Sequence, residues 1–175
     1  MVVLDACMVI SFGNAGRLDL IDTLQLHRVC VSARARSEVV RDPACAAMEA
    51  SIAAGRLCAE RIDVQNPAEQ ESLQRFDARP AFRGRGDAEV LALAESRAYI
   101  VGSDERAMRS AVVAAWGAQR LAGTADFIVW AVREGRLLAE QAESVLGELD
   151  SGARILGQLR REGRDVQDLL ARTDQ

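Results

Sequence analysis

The sequence predicts an α/β fold, with a parallel sheet covered by helices on both faces. Short apolar runs suited to buried parallel strands recur at residues 2–4, 28–32 and 98–103. Stretches with apolar residues at helical spacing separate them, most clearly at 87–97. Strands alternating with helices signal a parallel sheet, because a parallel connection needs a crossover. A length of 175 residues without repeat, low-complexity segment or linker predicts one domain.

In chain order, residues 1–11, M-V-V-L-D-A-C-M-V-I-S, read as an apolar strand that Asp5 interrupts and Met8, Val9 and Ile10 resume. Leu18, Ile21, Leu24 and Leu26 fall at helical spacing within 17–26. Residues 28–32 form a strand, and Ser32 is placed to cap a helix containing Glu38. Pro43 opens a helix that Gly55 ends. Residues 57–64 are strand or extended chain, and 67–76 a polar surface helix. The arginine-rich stretch 78–86, A-R-P-A-F-R-G-R-G, is a loop. Helix 87–97 leads into strand 98–103, and Asp104 follows. Residues 105–116 are helical and 118–122 a short strand; Thr124 caps a helix ending at Gly135. Two amphipathic helices, 139–149 and 153–170, close the chain.

All 22 basic residues are arginine, since the chain has no lysine. That excludes a P-loop and lysine Schiff-base chemistry. A net charge of −4 argues against tight, non-specific nucleic-acid binding over the whole surface, but leaves room for a local arginine patch. The four cysteines (Cys7, Cys30, Cys45, Cys58) lie far apart with no C-x-x-C, so they read as buried thiols of a reducing cytosol. The single histidine, His27, nearly excludes histidine metal sites and a Ser-His-Asp triad, and reads as a surface residue. There is no apolar stretch of about eighteen residues and no basic region ahead of the first apolar run. The expectation is a cytoplasmic protein without membrane contact.

Acids at structural junctions carry the chemistry. Asp5 ends the first strand, and Glu38 lies in the helix after the second. Asp87 opens its helix in G-R-G-D-A-E-V-L-A-L-A, and Asp104 follows its strand in Y-I-V-G-S-D-E-R. Burying an unpaired carboxylate costs several kcal/mol. A fold that keeps Asp5 at an apolar strand end should therefore supply a partner, and a cation is the commonest useful one. From Asp87, helical positions three, four and seven further on are Val90, Leu91 and Ala94, so Asp87 faces the sheet. Glu89 lies about 200° round that helix and points more to the side. Glu89 and Asp126, the latter in the first turn of its helix, are secondary candidates. Arg79, Arg83 and Arg85 are suited to phosphate contact. Aspartyl phosphatase chemistry wants D-x-D at the first strand, but Cys7 stands in the second position.

The order and separation of these motifs resemble the PIN-domain family of metal-dependent ribonucleases. V-V-L-D-A-C-M-V-I-S-F-G-N-A-G-R-L-D-L-I is similar to its opening motif. G-D-A-E-V-L-A-L-A-E-S and I-V-G-S-D-E-R-A resemble its central acidic helix and following strand. A-G-T-A-D-F-I-V-W-A-V-R-E-G resembles a glycine–threonine segment before a late helix, so the likeness runs to about residue 136. It implies a three-layer α/β/α PIN-like fold with its core at 1–138; the chain departs from the compact members in a C-terminal helical extension at 139–175. It implies that Asp5, Glu38, Asp87 and Asp104 line one acidic pocket holding Mg²⁺ or Mn²⁺. An all-oxygen donor set favours such hard cations. The reaction implied is hydrolysis of an RNA phosphodiester by a metal-activated water, with Arg83 and Arg85 against the RNA. Many members are the toxin of a toxin–antitoxin pair, which implies an antitoxin partner. Val145, Leu146, Leu149, Ile155, Leu156 and Leu159 of the last helices offer a face for it or for a homodimer, or equally pack against the chain's own sheet. The alternative from another class is a PIN-like binding or scaffold module without catalysis, which would not bind Mn²⁺.

Overall fold

The computed structural model describes residues 1–25 and 27–171. Strands β1 (Val2–Leu4), β2 (Val29–Ser32), β3 (Cys58–Glu60), β4 (Ile100–Gly102) and β5 (Leu121–Ala122) form a five-stranded sheet in the order β3-β2-β1-β4-β5. Every neighbouring pair is parallel, with Val3 opposite both Cys30 and Val101. β1 lies in the middle, and Val2, Val3 and Leu4 are fully buried there. The chain steps outward from β1 to β2 and β3, then returns to β4 on the other side of β1. This reversal puts the topological switch between β1 and β4. Open α/β sheets gather ligands outside the strand carboxyl ends at that crevice.

The helices are α1 (Ala6–Asn14), α2 (Asp19–Asp22), α3 (Ala33–Glu38), α4 (Ala44–Ala53), α5 (Pro67–Asp77), α6 (Gly86–Arg97), α7 (Arg106–Trp116), α8 (Thr124–Arg133), α9 (Ala142–Glu148), α10 (Gly152–Arg161) and α11 (Val166–Ala171). Right-handed crossovers place α1, α2 and α4 on one face, and α5 to α7 on the other. On the first face α1 packs on α4 and α2 on α8. On the second α5 packs on α6, and Phe76 meets the Trp116 ring edge-on at 6.2 Å. The result is a three-layer α/β/α architecture. Among the described residues no helix is long and apolar enough to cross a membrane.

The elements depart from the sequence expectations at several points. Met8, Val9 and Ile10 do not resume a strand; they belong to α1, whose inward face is apolar. The helix expected at 17–26 shrinks to α2, with Leu18, Ile21 and Leu24 buried; Leu26 lies outside the described residues. Gly123, not Thr124, is the N-cap of α8, and Thr124 is its first residue. The helix expected at 153–170 is two helices, divided near Gly163, whose φ of +65° ends α10. Of the two roles open to the last helices, packing within the chain is the one seen: Val145, Leu146, Leu149 and Leu159 are buried in the chain's own core, while Ile155 and Leu156 pack partly against it. Each such burial contributes about 1.5–3 kcal/mol.

Candidate metal centre

Asp5 stands one residue past β1, where the chain turns from strand to helix. It is the N-cap of α1, and its Oδ1 accepts the Met8 N–H at 2.8 Å. Its own N–H donates to the Gly102 carbonyl of β4 at 3.0 Å, which ties it to the crevice. Its second oxygen accepts the Ser103 hydroxyl. The residue is 1% exposed. Burial pushes its carboxyl up to about 7; the two hydrogen bonds pull it down, and the charges of Asp87 and Asp104 push it further up.

Asp87 is positioned by the way α6 begins. A Cβ on Gly86 would lie 2.7 Å from the Ala35 Cα, so glycine lets the first turn of α6 seat directly on α3. Two carboxylates lock that contact. Glu38, at the end of α3, accepts the Gly86 N–H at 2.6 Å. Glu89 accepts the Arg34 N–H, at the start of α3, also at 2.6 Å. Each satisfies an amide that a helix start would leave orphaned, and each acid suits the helix dipole there. Asp87 sits between them without such a duty. It is 4% exposed, and its buried Oδ2 receives no hydrogen bond among the described residues. Arg85 Nε lies 3.5 Å from that oxygen. Burial pushes the Asp87 carboxyl up to about 6; Glu105 adds to the rise, Arg85 opposes it and Glu38 adds a little.

The turn after β4 supplies the third wall. Ser103 Oγ donates to Asp5 and accepts the Glu105 N–H at 3.1 Å. Glu105 thereby turns toward Asp5. One carboxylate oxygen of each, together with Cys7 Sγ, lie within 4.8 Å of one another. Glu105 Oε2 is buried and has no hydrogen-bond partner among the described residues; Oε1 is 3.5 Å from Arg85 Nη1. Burial, then the charges of Asp5, Glu105 and Asp87, push the Cys7 thiol up to about 11, so it is neutral at pH 7. Asp104 turns toward α8, where its carboxylate accepts the Thr124 hydroxyl at 2.5 Å and the Thr124 N–H at 3.3 Å. Arg154 Nη2 of α10 is 3.9 Å from its Oδ1.

Of the four acids expected to converge, Asp5 and Asp87 lie in the crevice. Asp104 and Glu38 stand at its margin, where the first acts on Asp5 and the second on Asp87 through their charges. Glu89 is 5% exposed rather than lateral, and its carboxylate is committed to the Arg34 amide. Asp126 accepts the Gly123 N–H at 2.7 Å, which satisfies the N-cap amide of α8. Arg85 lies over Asp87 and Glu105, whereas Arg83 is exposed. His27 is half-buried, with its ring 4.3 Å from that of Trp130, rather than a plain surface residue. Sequence reasoning missed Glu105, Ser103 and Cys7. The signal was the S-D-E run itself: adjacent acids after a strand point to different sides, and residue order does not say which one faces inward.

The donor set fits a divalent cation. Carboxylate oxygens of Asp5 and Glu105 converge with Cys7, and Asp87 lies beside them under the same arginine; among the described residues Asp87 Oδ2 and Glu105 Oε2 receive no hydrogen bond, and the exposed Arg85 partly offsets the charge. No curated protein and no solved structure matches the chain. A family model described as a PIN domain matches residues 1–162. PIN domains are generally nucleases and typically use divalent metals. With the match covering most of the sequence and the sheet carrying its acids at the β1/β4 switch, the chain belongs to the PIN-domain family.

Proposed function

We propose that this protein is a cytoplasmic Mg²⁺- or Mn²⁺-dependent endoribonuclease, with Asp5, Asp87 and Glu105 as the inner ligands and Asp104 and Glu38 at their margin. The observation that carries this reading is the buried Asp87 Oδ2, which receives no hydrogen bond among the described residues and shares Arg85 with Glu105. A bound divalent cation would lower the pKa of a water and neutralise charge on the phosphoryl oxygens. The chain's own groups do the positioning. Ser103 fixes one oxygen of Asp5, and the Glu38 and Glu89 locks fix the entry of α6 and hence Asp87. Arg85 neutralises Asp87 and Glu105 when no cation is present, and once released it is free to take a substrate phosphate. Arg83 on the same loop extends that patch over a chain of net charge −4.

RNA as the substrate and a toxin role follow from the family resemblance. The test is incubation with labelled single-stranded RNA and the matching DNA, in Mg²⁺, Mn²⁺ or EDTA. Metal-dependent RNA cleavage, lost in Asp87→Ala and Glu105→Gln, is the expected result. RNA binding without cleavage in any metal would instead favour the binding-module reading. The toxin role predicts growth arrest on expression, relieved by a protein encoded beside this one.

A further inference from the structure

Cys7 is out of keeping with a site for hard cations. Its sulfur lies within 4.8 Å of carboxylate oxygens of both Asp5 and Glu105. The residue is exposed, so solutes reach it, whereas Asp5 beneath it is buried. A second, independent feature points to a ligand in the same space. The Asp87 side chain is 6% exposed, its Oδ2 receives no hydrogen bond among the described residues, and one guanidinium, Arg85, lies 3.5 Å from both that oxygen and Glu105 Oε1, which sets Asp87 beside the Asp5–Cys7–Glu105 cluster. Two of the other thiols are engaged elsewhere: Cys30 Sγ donates to the Val2 carbonyl at 3.4 Å, and Cys58 Sγ accepts from Arg28 Nε at 3.0 Å.

We propose that Cys7 makes this centre a binding site for thiophilic divalent cations, of which Zn²⁺, Co²⁺ and Cd²⁺ are the type, held by Cys7, Asp5 and Glu105. The proposal rests on the nuclease reading for its hard-cation site and adds a second metal class to it. Zn²⁺ accepts a tetrahedral set of thiolate and carboxylate donors, whereas Mg²⁺ wants six oxygens. Binding forms a metal–sulfur bond and breaks the S–H bond, whose proton goes to solvent. Because Asp5 and Glu105 serve both ions, the thiophilic cation excludes Mg²⁺ and stalls cleavage.

The test is titration of the full-length protein with Co²⁺, followed by absorbance. A near-ultraviolet sulfur-to-cobalt charge-transfer band is expected, saturating at one equivalent, displaced by Zn²⁺ and lost in Cys7→Ser. In parallel, Zn²⁺ should protect Cys7 of the wild-type chain from iodoacetamide, as read by peptide mass mapping; this arm needs no variant. A band that survives Cys7→Ser, or Cys7 alkylation that Zn²⁺ does not slow, overturns the proposal. Mn²⁺ binding by electron paramagnetic resonance keeps the two readings apart. Mn²⁺ bound with no cobalt band sinks this inference and leaves the nuclease standing. A Cys7-dependent cobalt band without Mn²⁺ binding does the reverse.

Discussion

Replacing Asp5 by Asn removes one charge from the crevice and keeps the shape. Asn is as good an N-cap as Asp, so the Met8 N–H keeps an acceptor. What changes is the cost of ionisation. A carboxyl that ordinarily titrates at 3.8 is pushed up to about 7. At about 1.4 kcal/mol per pH unit, this sets ~4 kcal/mol against the folded state once the group is ionised. The folded chain holds this proton more tightly than the unfolded chain. Stability is therefore lost as pH rises from about 4 to about 7, and the deficit is complete above that. Asn reforms the Ser103 contact less well, which leaves a net gain of about 1–3 kcal/mol at pH 8 without metal. A chain of this size shifts its Tm by about 2–4 °C per kcal/mol, so the variant should melt about 2–12 °C above wild type. The assay is thermal unfolding by circular dichroism in EDTA at pH 8 and pH 5. The gap should be wide at pH 8 and narrow at pH 5, and Mn²⁺ should raise the Tm of wild type alone. A variant less stable than wild type at pH 8, or a gap indifferent to pH, would refute the reasoning.

Three other substitutions probe the supporting groups. Glu89→Ala removes the acceptor of the Arg34 N–H and should cost about 1 kcal/mol, seen as a fall in Tm, while RNA cleavage remains substantial; an inactive variant would make Glu89 an inner ligand. Ser103→Ala removes a hydrogen bond that lowers the Asp5 carboxyl, so the acid limb of the pH–rate profile should move to higher pH, and an unmoved limb contradicts the assigned contact. Arg85→Ala removes an exposed cation from Asp87 and Glu105. Mn²⁺ affinity should rise about two- to tenfold while RNA affinity falls with a shallower salt dependence. Weaker Mn²⁺ binding would show that Arg85 supports the site rather than competing for it.

The sequence announced the sheet because buried parallel strands are short β-branched runs, and β1, β2 and β4 are of that kind. It also announced Asp5, since a carboxylate between apolar runs is conspicuous. The same apolar run misled the reading of Met8 to Ile10, because a buried helix and a buried strand share a composition, and only Asp5 marks the boundary. The inward turn of Asp87 followed from helical phase, but the near-total burial of Glu89 did not. That burial depends on α3 seating against Gly86, a contact 48 residues apart in the chain between Glu38 and Gly86. Glu105 was hidden for a related reason. Its backbone is tied by the Ser103 hydroxyl, which reads as an ordinary turn residue until it meets Asp5. The division of α10 from α11 rested on Gly163, whose positive φ a helical pattern of apolar residues does not reveal.

The most direct test of the central claim is Mn²⁺ titration of metal-free wild type, Asp87→Ala and Glu105→Gln, followed by electron paramagnetic resonance. The claim is that Asp5, Asp87 and Glu105 together hold a divalent cation at the carboxyl ends of β1 and β4. Saturable binding to wild type, weakened at least about tenfold in each variant, is the result the account predicts. Binding that is unchanged in both variants, or absent from wild type, would contradict it.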